Sequence, residues 1–90
     1  MEARCHVIIS GNLRGSFLRS SIRSQAVMRR VAGWAKHTPE GGIEALFEGE
    51  KDEIEAILDY CRDSPNGAAV SDIMVEWEEG SPSLEGFEIR

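Results

Sequence analysis

The sequence predicts an α+β sandwich in which two helices cover one face of an antiparallel sheet and a short strand closes the chain. Three observations predict it. β-branched runs alternate with amphipathic segments in the order strand, helix, strand, strand, helix, strand. The turn-rich stretch Thr38, Pro39, Glu40, Gly41, Gly42 separates two strand-like runs by a hairpin's length. Ninety residues, 41% of them apolar, suffice for one two-layer core and leave no chain for a second, so residues 1–90 are read as a single domain.

Each element has its own signal. Arg4 to Ser10 contains the run Val7, Ile8, Ile9 and ends at Gly11, which is short enough for a strand. From Phe17 to Val31, Leu18, Ile22 and Ala26 recur at intervals of four with Val27 and Val31 beside them, while Arg19, Arg23 and Arg30 fall on another side. This is an amphipathic helix whose last turn places Arg29 and Arg30 favourably for its dipole, with Gly33 as a stop beyond it. Trp34 to His37 and Ile43 to Glu48 form the hairpin strands. Lys51 to Arg62 sets Ile54, Ile57, Leu58 and Cys61 on one stripe, with Asp52 and Glu53 in the favourable first turn. Pro65, Asn66 and Gly67 break that helix. Ile73, Val75 and Trp77 then alternate with Asp72, Met74, Glu76 and Glu78 as a half-buried strand, and Phe87 to Arg90 makes the last one.

Charge narrows the range of partners. Residues 1–36 carry seven basic side chains against one acid, residues 37–90 three against fifteen, and the formal net charge is −6. A molecule this acidic repels bulk nucleic acid and anionic membrane, whereas a small anion can reach a local basic pocket. No apolar run approaches a membrane span and no signal-peptide core is present, which predicts a soluble cytoplasmic protein acting as a monomer. Cys5 and Cys61 belong to no ligand-spaced cluster and read as reduced, buried thiols.

The stretch Gly11, Asn12, Leu13, Arg14, Gly15, Ser16, Phe17, Leu18, Arg19 lies between the first strand and the first helix. Its glycines permit a tight turn, the helix start points its positive end at the same spot, and Arg19 adds a forked cation. Backbone amides of Arg14, Gly15, Ser16, Phe17, Leu18 and Arg19 are therefore the candidate phosphate-binding groups. Arg23, one turn on, reads as a surface residue. His6 reads as a hydrogen-bonded structural residue, and Trp34, Trp77, Phe47 and Phe87 as core or rim packing. Glu76, Glu78 and Glu79 form a solvated strand end.

The same residues resemble the acylphosphatase family. Its first signature, approximately Gly, x, Val, Gln, Gly, Val, x, Phe, Arg, is matched at Gly11, Gly15 and Arg19, with Leu13 a mild replacement and Arg14, Ser16 and Leu18 departing from it. The second, Gly, Trp, Val, x, Asn and a turn, is similar to Gly33, Trp34, Ala35, Lys36, His37, Thr38, Pro39. Similarity continues through Phe47, Glu48, Gly49, through Val75, Glu76, Trp77, and through the terminal Gly86 to Arg90. The resemblance implies a ferredoxin-like βαββαβ sandwich that hydrolyses acyl phosphates without metal or cofactor. Arg19 would hold the phosphoryl group and the second-signature residue would orient the attacking water; here that residue is His37 in place of asparagine. An RNA-recognition module shares this element order, but its aromatic signature is missing.

The implied chemistry suits the residues present. The leaving carboxylate has a conjugate acid of pKa about 4 and departs without protonation, so no general acid is required. What remains is to hold the phosphoryl group and stabilise charge on its equatorial oxygens. A neutral imidazole can position a water, as an amide does, or take its proton. Its reach differs from that of asparagine, and a misplacement of about 1 Å can cost roughly a hundredfold in rate. The expectation is a working anion site with slowed turnover, the alternative a phosphate-binding module of the same fold with weak or no catalysis.

Overall fold

A computed structural model describes residues 1–63, 68–79 and 83–90. The chain runs β1 (Glu2–Asn12), α1 (Leu18–Met28), β2 (Ala32–His37), β3 (Ile43–Glu50), α2 (Lys51–Arg62), β4 (Ala69–Glu78) and β5 (Phe87–Ile89). The strands form one sheet in the order β4-β1-β3-β2-β5. β1 pairs antiparallel with β3 and β4, and β2 antiparallel with β3. β5 lies parallel to β2, so the sheet is mixed, with one parallel pairing added to the expected antiparallel set. This is the ferredoxin-like α+β sandwich.

Three boundaries differ from the sequence reading for local reasons. α1 stops at Met28, before Arg29 and Arg30, because Arg30 turns left-handed at φ 58°. The Arg30 and Val31 amides then donate back to the Val27 and Ala26 carbonyls, the paired bonds of a Schellman turn, which leaves the two arginines outside the last turn. Gly33 accordingly does not stop the helix. It sits inside β2 at φ 144°, where an added Cβ would lie 1.8 Å from the Leu46 carbonyl oxygen of β3. β1 and β4 are longer than the apolar runs because pairing continues through polar residues, past a register shift at Ser10 and Gly11. The break expected at Pro65, Asn66 and Gly67 lies outside the described residues.

The core lies between the helices and one sheet face. Val7, Ile9, Ala35, Ile43, Ala45 and Phe47 meet Leu18, Ile22 and Ala26 from α1 and Ile54, Ile57 and Leu58 from α2. Val27, expected near the apolar stripe, is 56% exposed, because the stripe is narrower than the pattern suggested. Phe47 and Phe87 stack with ring centroids 5.7 Å apart and fasten β5 to the sheet. Cys5 and Cys61 are free and buried, and burial pushes both thiols up to about 12. No helix among the described residues is long and apolar enough to cross a membrane.

The helix-free face carries charge. His6 Nε2 donates to Glu44 Oε2 at 2.6 Å, and Lys36 Nζ lies 3.6 Å from Glu44 Oε1. The hydrogen bond from His6, helped by the Lys36 charge and opposed by desolvation, holds the Glu44 carboxyl below its ordinary value. A carboxylate whose folded value is depressed contributes stability above its unfolded value and loses it as the pH falls through the folded one. Glu44→Gln should therefore lower the thermal midpoint at pH 7, with the difference from the parent shrinking towards pH 3. A difference that grows in acid would contradict this assignment.

Candidate active site

The loop after β1 is built by two departures from ordinary backbone geometry. Gly15 adopts φ 81°, open to a residue without Cβ, and Phe17 stands just before α1 in the left-handed region at φ 59° and ψ 20°. A left-handed phenylalanine is uncommon, and a strained turn of this kind persists only where its surroundings hold it. Phe17 thus precedes the helix it was expected to begin, and its ring is 76% exposed. The Ser16 hydroxyl donates to the Leu13 carbonyl and accepts the Leu18 amide at 3.4 Å. Leu13 is fully buried and donates its amide to the Gly41 carbonyl at 3.0 Å, which ties the loop to the tip of the β2–β3 hairpin.

This anchoring leaves part of the loop's main-chain donors without a backbone acceptor among the described residues. Among the described residues, the amides of Arg14, Gly15 and Phe17 have no backbone acceptor, and α1 has neither an acid in its first turn nor a side-chain cap from Phe17. The first amides of a helix have no partner within it, so the Arg19 amide belongs to the same group. Leu18 and Ser16, expected among the donors, have their amides engaged: Leu18, its side chain buried in the core, donates to the Ser16 hydroxyl, and Ser16 donates to the Leu13 carbonyl at 3.3 Å. The Arg14 guanidinium turns to the hairpin, 3.3 Å from the Pro39 carbonyl oxygen and 3.5 Å from that of Thr38.

Arg19 is half-buried, and its Nη1 donates to the Arg90 carbonyl at 3.2 Å. Arg90 in turn donates its amide to Ala35 of β2 at 2.8 Å. Two residues further along β2, His37 shares the pleat face of the buried Ala35, which is the face that α1 covers. Arg19 and His37 therefore approach the same end of β2 from the same side. His37 Nδ1 lies 3.3 Å from the Gly42 carbonyl oxygen. A carbonyl only accepts, so Nδ1 carries the hydrogen and the neutral ring keeps its lone pair at Nε2. Gly42 is held in turn, its carbonyl accepting the Thr38 amide and its amide donating to the Thr38 hydroxyl.

The other candidates fall elsewhere. Arg23 is exposed, as expected, and donates to the Phe87 carbonyl at 3.3 Å. Glu78 of the acidic strand end is an ion-pair partner, 3.0 Å from Arg4. A cleft of about 350 Å³ lined by Ile8, Ser10, Thr38, Pro39, Glu40 and Glu44 carries two carboxylates and includes neither His37 nor any residue from Arg14 to Arg19. The sequence reading missed the carbonyls of Arg90 and Gly42, for which no side chain signals.

An α+β sandwich with a glycine-turned loop, a helix start without acids and a neighbouring guanidinium defines a class of small domains with the donors that an anion requires. Residues 5–89 match the acylphosphatase family model, and the chain belongs to the acylphosphatase family. It is 37% identical to an acylphosphatase of Pelotomaculum thermopropionicum, covering 98% of this chain and 96% of that one. The structure is similar to an acylphosphatase from Coxiella burnetii at TM-score 0.91 and 31% identity, covering 99% of this chain and 93% of that one. It is also similar to the Bacillus subtilis acylphosphatase, at TM-score 0.90 and 26% identity over 100% and 99% of the two chains. Family and fold together support acyl phosphate hydrolase activity.

Proposed function

We propose that this chain hydrolyses the carboxyl–phosphate anhydride of acyl phosphates, releasing carboxylate and inorganic phosphate. The phosphoryl oxygens accept hydrogen bonds from the amides of Arg14, Gly15, Phe17 and Arg19 and from the Arg19 guanidinium. The observation that carries this reading is the set of amides without a backbone acceptor at a helix start that has no acid in its first turn, with Arg19 beside it. These donors are fixed before substrate arrives, and preorganised dipoles stabilise charge developing in the transition state. His37 presents a lone pair at Nε2, which accepts a hydrogen from the attacking water and aims its oxygen at phosphorus.

The test is phosphate release from a synthetic aryl acyl phosphate. Phosphate-induced NMR shifts at the Gly15 and Arg19 amides without hydrolysis would favour the second reading, a binding module of the same fold. The feature that motivates this reading is His37, whose ring reaches further than an asparagine and is turned to Gly42. His37→Asn separates the two effects of the histidine. Turnover at neutral pH is expected to rise severalfold, because an amide both donates and accepts at shorter reach. An unchanged or lower rate would mean that imidazole has taken over the role.

A further inference from the structure

Glu48 on β3 is a charged side chain with no exposed surface, far along the sheet from the loop. Its Oε1 accepts two backbone amides, from Ser83 and Leu84, each at 2.8 Å, while Oε2 accepts Arg4 Nη1 at 2.9 Å. Two amides on one ionised oxygen are charge-assisted bonds in a low-dielectric setting, about twice as strong as neutral ones. They fix the segment that leads into β5. That strand is three residues long and pairs in parallel with Gly33, Trp34 and Ala35, which is too little ladder to hold itself in place.

Its remaining anchors are spread along its length. Gly33 donates to the Gly86 carbonyl at 3.0 Å, Phe87 stacks on Phe47, and the Arg90 amide bonds Ala35. Arg23 and Arg19 then donate to the Phe87 and Arg90 carbonyls. β5 is thus a strap, held ahead of its start by Glu48, at its first residue by Arg23 and past its last by Arg19. We propose that Glu48 is a positioning residue for the anion site: by holding the Ser83 and Leu84 amides it fixes β5, whose following carbonyl, Arg90, sets the orientation of the Arg19 guanidinium. The inference rests on the reading of Arg19 as a phosphate ligand. Coupling of this kind is reciprocal, so phosphate bound at Arg19 must tighten the strap at Glu48.

Amide-resolved hydrogen exchange on the whole chain, at rising inorganic phosphate, tests this without a substitution. With phosphate at ten times its dissociation constant, exchange at Ser83 and Leu84 is expected to slow by up to about tenfold, since strap opening then competes with binding. The Arg30 amide, in the turn at the opposite end of α1, is expected to be unaffected. Shifts at Gly15 and Arg19 without slowing at Ser83 and Leu84 overturn the coupling alone. No shift at Gly15 or Arg19 overturns the phosphate site and the coupling with it. Glu48→Gln keeps an acceptor but removes the charge. At a temperature where it is folded, phosphate should bind severalfold more weakly, kcat/KM should fall in step, and the Arg19 Nε resonance should move. A lower thermal midpoint with unchanged phosphate affinity would make Glu48 structural only.

Discussion

Arg19→Ala is expected to lower kcat/KM for an aryl acyl phosphate by at least about a hundredfold, the usual cost of removing one preorganised donor from a developing oxyanion. The guanidinium is the charged phosphate ligand of the proposed site, in a molecule whose formal net charge is −6. Without it, the amides of the loop must hold a dianion with partial charges alone. Folding should be little affected. Arg19 is only half-buried and, among the described residues, its side chain bonds only the Arg90 carbonyl, so the thermal midpoint should move by a few degrees at most. Steady-state phosphate release, paired with a thermal melt, checks both parts. Activity retained within threefold in a folded variant would remove Arg19 from the mechanism. Arg19→Lys should recover only part of the rate, because an ammonium keeps the charge but not the two-pronged geometry.

The largest loss of stability is expected at Gly33. An added Cβ would meet the Leu46 carbonyl oxygen at 1.8 Å and its carbon at 2.8 Å, and both belong to the neighbouring backbone, so no side-chain rotation relieves the contact. Gly33 also holds φ 144°, where an L-residue is strained. Gly33→Ala must therefore part β2 from β3, the pairing that runs from Ala32↔Glu48 to His37↔Ile43. A cost of about 3 kcal/mol or more follows, which for a domain of this size lowers the midpoint by roughly 12 °C or more. Because β2 carries His37 and accepts the Arg90 amide at Ala35, the variant's folded fraction should also bind phosphate less well. A shift under about 4 °C would mean that the strands accommodate the methyl.

Much of this molecule is legible in residue pattern. α2 begins and ends where the Ile54, Ile57, Leu58, Cys61 stripe and its acidic first turn placed it, because its helical period, dipole and burial agree. β1 and the hairpin follow from β-branched runs and the Thr38–Gly42 turn, with errors confined to their ends. α1 was harder. Its arginines suit a last turn, but Val31 gains more by entering the core than the helix gains by another turn, and Arg30 reverses the chain to put it there. Gly33 illustrates a different ambiguity: a glycine after a helix reads as a stop, and only the partner strand reveals that it is needed for close approach.

The site divides in the same way. Gly15 and Arg19 are local signals, since a turn and a cation near a helix start interact over a few residues of chain. The turn of Arg14 towards Pro39, the bond from His37 to Gly42 that leaves Nε2 bearing the lone pair, and the Arg90 carbonyl on Arg19 depend on segments brought together by the sheet. Glu48 is the extreme case, an acid whose partners lie 35 and 36 positions later. By itself the amino-acid order determined the two helices, the strand sequence and the glycine turn between β1 and α1, because periodicity and turn propensity act between near neighbours. Strand order, the parallel seat of β5, the buried charge at Glu48 and the orientation of Arg19 and His37 were decided only in the tertiary structure, because hydrogen bonds to distant backbone groups have no counterpart in local side-chain pattern.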